Sequence, residues 1–102
     1  MEAPTMFEHF NSESGAPLVR LNSECVADCS APGQDASEAC SYWLGRVDWL
    51  ADSSALRDNL RGYGAWDDLD EASEETLRTR SLWVAAVDCR EDPECYATEG
   101  GA

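Results

Sequence analysis

Apolar residues at helical spacing run through the middle of the chain and predict a first helix. Four of them lie at i, i+4, i+8 and i+11 and so share one stripe of an α-helix: Ala39, Trp43, Val47 and Leu50. Asp35 or Ser37 can open this helix, because Asp35 with Glu38 three residues later has the spacing of a capping box. The pattern predicts a helix that continues to Leu50.

Two more helices follow in the same pattern. Asp52, Ser53 or Ser54 can cap the second, which carries Leu56 and Leu60 and is expected to stop at the glycines 62 and 64. The third should begin between Asp67 and Ser73 and run to about Arg90, because Pro93 prevents much further extension. Its centre, LWVAAV, is apolar on nearly every side, which predicts the most buried element of the fold.

The two ends of the chain carry weaker patterns. Residues 1–17 show no sustained period and are predicted to form a flexible lead, whereas PLVRL at 17–21 suits a short extended piece. A short helix is possible over residues 23–29, and residues 96–102 form a polar, glycine-rich tail. With no internal repeat and no strand pattern of weight, we predict an all-α fold: one domain over residues 1–102, a three- to four-helix bundle with flexible termini.

The charge balance changes this picture most. The chain has 21 acidic residues and seven basic ones, all of them arginine, for a formal net charge of −14. Such a field repels DNA, RNA and anionic lipid and speeds encounter with a basic surface. No segment has the length of a membrane span or the pattern of a signal peptide, so a cytoplasmic location with reduced thiols is expected.

A dense acidic run follows the second predicted helix. Its six carboxylates are Asp67, Asp68, Asp70, Glu71, Glu74 and Glu75. If the third helix begins near residue 67, five of them form two rows along one face, Asp67, Glu71 and Glu75 in one and Asp70 and Glu74 in the other. Such rows could stand in for a nucleic-acid backbone before an arginine-rich groove. The alternative is an ordinary helix start, where acids interact favourably with the macrodipole and Glu74 pairs with Arg78 four residues later.

Aromatic residues near this run are candidate anchors for a partner. Trp43 and Trp83 fall on apolar helix faces and are predicted to lie in the core. Trp49 and Trp66 each stand beside an aspartate, and Tyr63 is close to Trp66 in sequence. An aromatic side chain ringed by acids is what a hot spot for a basic partner would look like, so these three residues join the six carboxylates as the predicted partner-binding set.

Neither catalysis nor cofactor binding is indicated by the remaining residues. The only histidine, His9, has no flanking motif and is predicted to lie on the surface, and no phosphate-binding or metalloprotease motif occurs. The five cysteines are Cys25, Cys29, Cys40, Cys89 and Cys95. A zinc site, one disulfide (Cys89 to Cys95, or Cys25 or Cys29 to Cys40) and mostly free thiols are the alternatives; the odd count favours free thiols, and no metal ligand is assigned.

The stretch GAWDDLDEASEETLRTRSLWVAAVD, residues 64–88, resembles a pattern in small proteins of phages and prophages. The whole profile, short, lysine-free, strongly acidic and helical, is similar to phage counter-defence proteins, including anti-CRISPR proteins, some of which imitate DNA. The resemblance implies a non-enzymatic inhibitor in the cytoplasm of a bacterial host cell. Its partner would be a host protein with a basic, nucleic-acid-binding surface, such as a CRISPR effector complex.

Two alternatives to this interpretation stay open. One is a small phage or bacterial adaptor or assembly protein that binds through Trp49, Trp66 and Tyr63, with the charge serving solubility. The other is a structural protein built on its thiols or on zinc. Partner capture that depends on Trp66 and not on charge would favour the first, and a thiol count with metal analysis would test the second.

Overall fold

Short β-strands accompany the helices in the computed structural model, which describes residues 7–11, 13–21 and 38–91. The strands are β1 (Phe7–Phe10), β2 (Pro17–Leu21) and β3 (Asp48–Trp49); the helices are α1 (Glu38–Leu44), α2 (Ser53–Arg61) and α3 (Glu74–Glu91), with a 3₁₀ turn at Leu69–Glu71. The strands form one antiparallel sheet in the order β1-β2-β3. The fold is therefore mixed α/β, and the all-α prediction is wrong.

The segment predicted to be a flexible lead contains a β-hairpin. The Asn11 side chain accepts hydrogen bonds from the backbone N–H groups of Glu13 at 2.9 Å and Ser14 at 3.2 Å, which forms a turn. Gly15 completes it with a φ of 74°, a left-handed conformation that glycine adopts without strain. The hairpin was missed because Phe7–Phe10 is too short to show a clear alternation.

Charged and apolar side chains alternate over Val19, Arg20 and Leu21 of β2, whereas Leu18, beside a register shift in the pairing with β1, is buried as well. Arg20 lies between two carboxylates on neighbouring strands, 2.7 Å from Glu8 Oε2 and 3.0 Å from Asp48 Oδ2. Its neighbours Val19 and Leu21 are buried. Alternate side chains of a strand point to opposite faces, so the ion pairs line the outer face while the inner face packs on the core. The predicted extended piece at 17–21 is confirmed as β2.

Helix α1 ends six residues before the predicted Leu50. The chain turns after Leu44, where the backbone N–H groups of Arg46 and Val47 both donate to Trp43 O, at 2.8 and 3.1 Å. Val47 is still buried and Trp49 still packs against the core, but from a turn and a strand. The apolar spacing was real, yet it belonged to two elements.

Helix α2 follows its sequence signals closely. Asp52 is the N-cap, and its side chain accepts from the Ala55 backbone N–H at 3.0 Å. Leu56 and Leu60 are fully buried, and the helix ends at Arg61 before Gly62. The predicted cap and the predicted stop are both confirmed.

Helix α3 begins at Glu74, just beyond the predicted window of 67–73, and ends at Glu91. Ser73 caps it, because its hydroxyl oxygen accepts from the Thr76 backbone N–H at 3.2 Å. The LWVAAV centre is largely buried, and the helix packs against α1, α2 and β2, which confirms its central place. The helix predicted at 23–29 and the tail at 96–102 lie outside the described residues.

The apolar side chains form two clusters on either side of α3. The larger joins the sheet to all three helices and holds Leu18, Val19, Leu21, Cys40, Val47, Leu56, Leu82, Ala85 and Ala86. The smaller holds Leu60, Leu69, Leu77 and Val84. Trp43 and Trp83 pack against these clusters as predicted, although neither is fully buried. The second cluster supports the acidic segment.

Candidate functional site

The acidic run occupies the connection between α2 and α3, which we call the acidic connection, residues 62–75. It leaves α2 through Gly64, whose φ of 68° turns the chain, and passes through the 3₁₀ turn before Ser73 caps α3. Only Glu74 and Glu75 of the six predicted carboxylates lie on α3. The predicted two rows of charge along one helix face are therefore wrong.

One buried side chain fixes the acidic connection to the core. Leu69, in the 3₁₀ turn, is only 4% exposed and packs in the smaller apolar cluster. Its carbonyl oxygen accepts from Arg57 Nε of α2 at 3.0 Å. The connection is long enough to be mobile in principle, but these two contacts hold it in one position against α2.

Arginines from the flanking helices pair with three of the six carboxylates. Arg80 of α3 binds Asp68 through two parallel hydrogen bonds of 2.8 and 3.1 Å, and Arg61 of α2 pairs with Asp70. Glu74 pairs with Arg78 at 3.0 Å, as the i, i+4 spacing predicted. These three carboxylates are already matched within the molecule.

The pairing with Arg80 shifts the pKa of Asp68. The Arg80 guanidinium, mainly through its hydrogen bonds, holds the pKa of the Asp68 carboxyl below its ordinary range. Because Asp68 is exposed, water screens this pair and its contribution to stability is small. The pair orients the connection more than it stabilises the fold.

Three carboxylates of the acidic connection have no arginine partner among the described residues. Asp67, Glu71 and Glu75 are exposed and form no ion pair within residues 7–11, 13–21 and 38–91. They are spaced four residues apart along a segment that the other three carboxylates help to hold. These are the anionic groups that a cationic partner would meet first.

The predicted aromatic anchors do not form one exposed patch. Trp66 is half-buried, meets Trp83 edge-on with ring centroids 6.2 Å apart, and lies under the Arg80 guanidinium. Trp49 donates from Nε1 to Leu44 O at 3.2 Å and is half-buried. Of the three predicted anchors only Tyr63, 46% exposed, offers a large open surface.

Two shallow pockets flank the acidic connection. One of about 350 Å³ lies between the end of α1 and the start of α3 and is lined by Leu44, Gly45, Glu74, Glu75 and Arg78. The other, about 170 Å³, is lined by Arg61, Trp66, Asp67, Leu69 and Asp70. Both are open to solvent.

A buried polar cluster that the sequence did not reveal joins β1 to α3 and to Tyr63, at the start of the acidic connection. His9, predicted to be on the surface, is 6% exposed, with Nδ1 3.3 Å from Asp88 Oδ2 and Nε2 3.4 Å from the Tyr63 hydroxyl. The surface prediction is wrong because β1 turns this side chain inward. A hairpin signal was present, since an Asn and a Gly separate FEHF from PLVRL.

Cys40 is disulfide-bonded, so the expectation of mostly free thiols fails at this position. The side chains of the other four cysteines lie outside the described residues, as do the predictions of their pairing. A bonded sulfur is no thiolate ligand, which removes Cys40 from the zinc alternative. Stable disulfides are rare in the cytoplasm, so the expected cytoplasmic location stays a prediction that this bond opposes.

Comparison with known proteins adds nothing to this geometry. The chain matches no protein-family model, no curated protein and no solved structure. In the described ranges no helix is both long and apolar enough to cross a membrane. Nor do three or more His, Cys, Asp or Glu side chains converge there in a way that could hold a metal ion.

Proposed function

We propose that this chain is a non-enzymatic inhibitor that docks its acidic connection onto a basic, nucleic-acid-binding surface of a host protein, in the manner of DNA-mimic and anti-CRISPR proteins. One observation carries the proposal. Asp67, Glu71 and Glu75 are exposed and lack an arginine partner in the described part of the chain, on a segment that Leu69 pins to the core. A charged surface held in place before binding loses little entropy on binding.

Because of the arginine pairs, fewer carboxylates are available to imitate a nucleic-acid backbone than the sequence suggested. Asp68, Asp70 and Glu74 are matched internally, so a partner would have to displace Arg80, Arg61 or Arg78 to use them. The internal pairs serve instead to orient the connection. The proposed contact set is therefore the three unmatched carboxylates.

Charge alone is too weak to hold a complex. Exposed ion pairs contribute about 0.2 to 1 kcal/mol each, whereas micromolar affinity needs about 8 kcal/mol. The charge therefore mainly raises the association rate and selects a basic partner, and apolar contact must supply much of the affinity. Tyr63, at the start of the connection and half exposed, is the aromatic side chain best placed to supply it.

A competition experiment with a purified CRISPR effector complex tests the proposal in its sharpest form. Displacement of target DNA by this protein is measured at low and high salt, for the wild type, Glu71→Lys and Glu13→Lys. Both glutamates are exposed and without an arginine partner in the described ranges, but Glu13 lies in the hairpin turn, far along the chain from the connection. We expect Glu71→Lys to slow association several-fold and Glu13→Lys to have little effect.

If neither added salt nor Glu71→Lys changes the displacement of target DNA, the proposed nucleic-acid mimicry is refuted. If Tyr63→Ala then abolished binding, the adaptor alternative would take its place. No displacement at all from effector complexes would leave basic host proteins of other kinds to be tested by the same pair of variants.

A further inference from the structure

His9 joins the N-terminal strand to the two long helices. It lies on β1, an edge strand of the sheet, opposite Val19 of β2. Its ring contacts Asp88 of α3 and the Tyr63 hydroxyl just after α2, at 3.3 and 3.4 Å. The side chain is 7% exposed, so β1 can leave the helices only by taking this imidazole into water.

The groups that face the imidazole act in opposite directions. Burial lowers the pKa of His9 and is the largest influence, whereas the Asp88 carboxylate and the Asn59 side chain raise it. Tyr63 stays a neutral phenol, because burial and the Asp88 charge both raise its pKa. Burial outweighs the two raising influences, so the pKa of His9 lies below the ordinary value of 6.5.

We propose that His9 is a pH-dependent clasp: its neutral imidazole keeps β1 docked on α2 and α3, and uptake of a proton releases the strand.

The sign follows from the two states of the strand. In the docked state the pKa of His9 is lowered, and in the released state the hydrated imidazole returns to about 6.5. The released state therefore binds more protons, and docking weakens as the pH falls below 6.5 towards the lowered pKa. Linkage of one proton changes the docking equilibrium by at most about tenfold per pH unit.

Other contacts of β1 decide how far it opens. On the outer face Arg20 Nη2 lies 2.7 Å from Glu8 Oε2, and this ion pair holds β1 to β2. On release, β1 and β2 therefore move together as a hairpin. The side chains of Val19 and Leu21 that pack towards α3 become exposed, and the helices stay folded.

Hydrogen exchange across a pH series tests the clasp on the unmodified protein. His9 is the only histidine, so its ring proton resonances give its pKa without assignment by mutation. Amide exchange of β1 and β2, corrected for intrinsic rates, is compared with that of Leu82 and Ala85 in buried α3 between about pH 7.5 and pH 5. We expect His9 to titrate below 6.5. The corrected exchange rate of the strand amides should rise by at most tenfold for each pH unit of acidification, while that of the α3 amides stays constant.

Two variants separate a clasp from a merely structural histidine. His9→Asn should flatten the pH dependence of strand opening. Asp88→Asn should steepen it, because loss of the carboxylate lowers the pKa of His9 further; a purely structural role for Asp88 would change opening equally at every pH.

Three results would overturn the clasp: a His9 pKa at or above 6.5, strand opening independent of pH in the wild type, or strand and α3 amides that open together. If His9→Asn does not fold, the comparison of strand and α3 amides in the wild type still tests the clasp.

Discussion

Single arginines determine which carboxylates stay available on this surface. Arg80 spans the Asp68 carboxylate with two hydrogen bonds and lies over the Trp66 ring, while only 12% of its side chain is exposed. Such a fork needs both the charge and the planar geometry of a guanidinium. Composition alone counts Asp68 as one more negative charge, but its contacts make it part of the scaffold.

Replacing Arg80 should release Asp68 from this pairing. The lowered pKa of Asp68 means that the pair is intact above the ordinary carboxyl pKa and is lost as the pH falls through the lowered value. In Arg80→Gln we expect the pKa of Asp68 to rise towards its ordinary range, measured by carboxyl-carbon NMR titration. Arg78→Gln, which removes the partner of Glu74, should leave Asp68 unchanged; equal titration of Asp68 in wild type and Arg80→Gln would contradict the pairing.

The role of a residue could be predicted from the sequence where its partner is close in the chain. Asp52 caps α2 as predicted, because an N-cap bond spans only three residues. His9 was misread, because its partner Asp88 is almost the whole described chain away. No spacing rule reaches that far.

At the scale of elements, the 3₁₀ turn at Leu69–Glu71 decides the form of the acidic connection. A continuous helix from residue 67 would have placed five carboxylates in two rows, whereas the turn buries Leu69 and ends before Ser73 caps α3. Asp67 to Glu71 could have begun a helix by composition. Tertiary burial of one leucine competed with that local preference.

Leu69 should therefore carry much of the order of the connection. Leu69→Ala removes a 4%-exposed side chain from the smaller cluster, and such truncations cost about 2 to 5 kcal/mol of unfolding free energy. Urea denaturation measures the loss. Glu71→Ala, on the same turn but exposed, should stay within about 0.5 kcal/mol of wild type; similar values for both variants would show that Leu69 does not anchor the turn.

Across the whole molecule, the excess of negative charge opposes folding. Arg20, Arg61, Arg78 and Arg80 already pair with carboxylates, yet the chain keeps a formal net charge of −14. Such an excess repels itself in the compact state. The proposed partner would relieve this repulsion on binding, which is one physical reason for the surface to be unbalanced.

Added salt should stabilise the free protein. Screening weakens both the surface ion pairs and the general repulsion, but each exposed pair contributes at most about 1 kcal/mol and the repulsion acts over the whole surface. We expect the melting temperature to rise as sodium chloride increases from low to physiological concentration. A triple variant, Glu13→Gln, Asp67→Gln and Glu75→Gln, should gain less from salt; a melting temperature that falls with salt would show that the ion pairs dominate.

The sequence by itself determined α2 with its cap, the burial of the LWVAAV centre of α3, the extended piece at 17–21 and the negative field of the molecule. Each depends on residues within a few positions of one another or on composition. The tertiary structure alone decided the sheet, the end of α1 at Leu44, the 3₁₀ turn, the pairing of Asp68 with Arg80 and of Asp70 with Arg61, and the burial of His9. These depend on contacts between elements distant in the chain, where burial and pairing outweigh local preference.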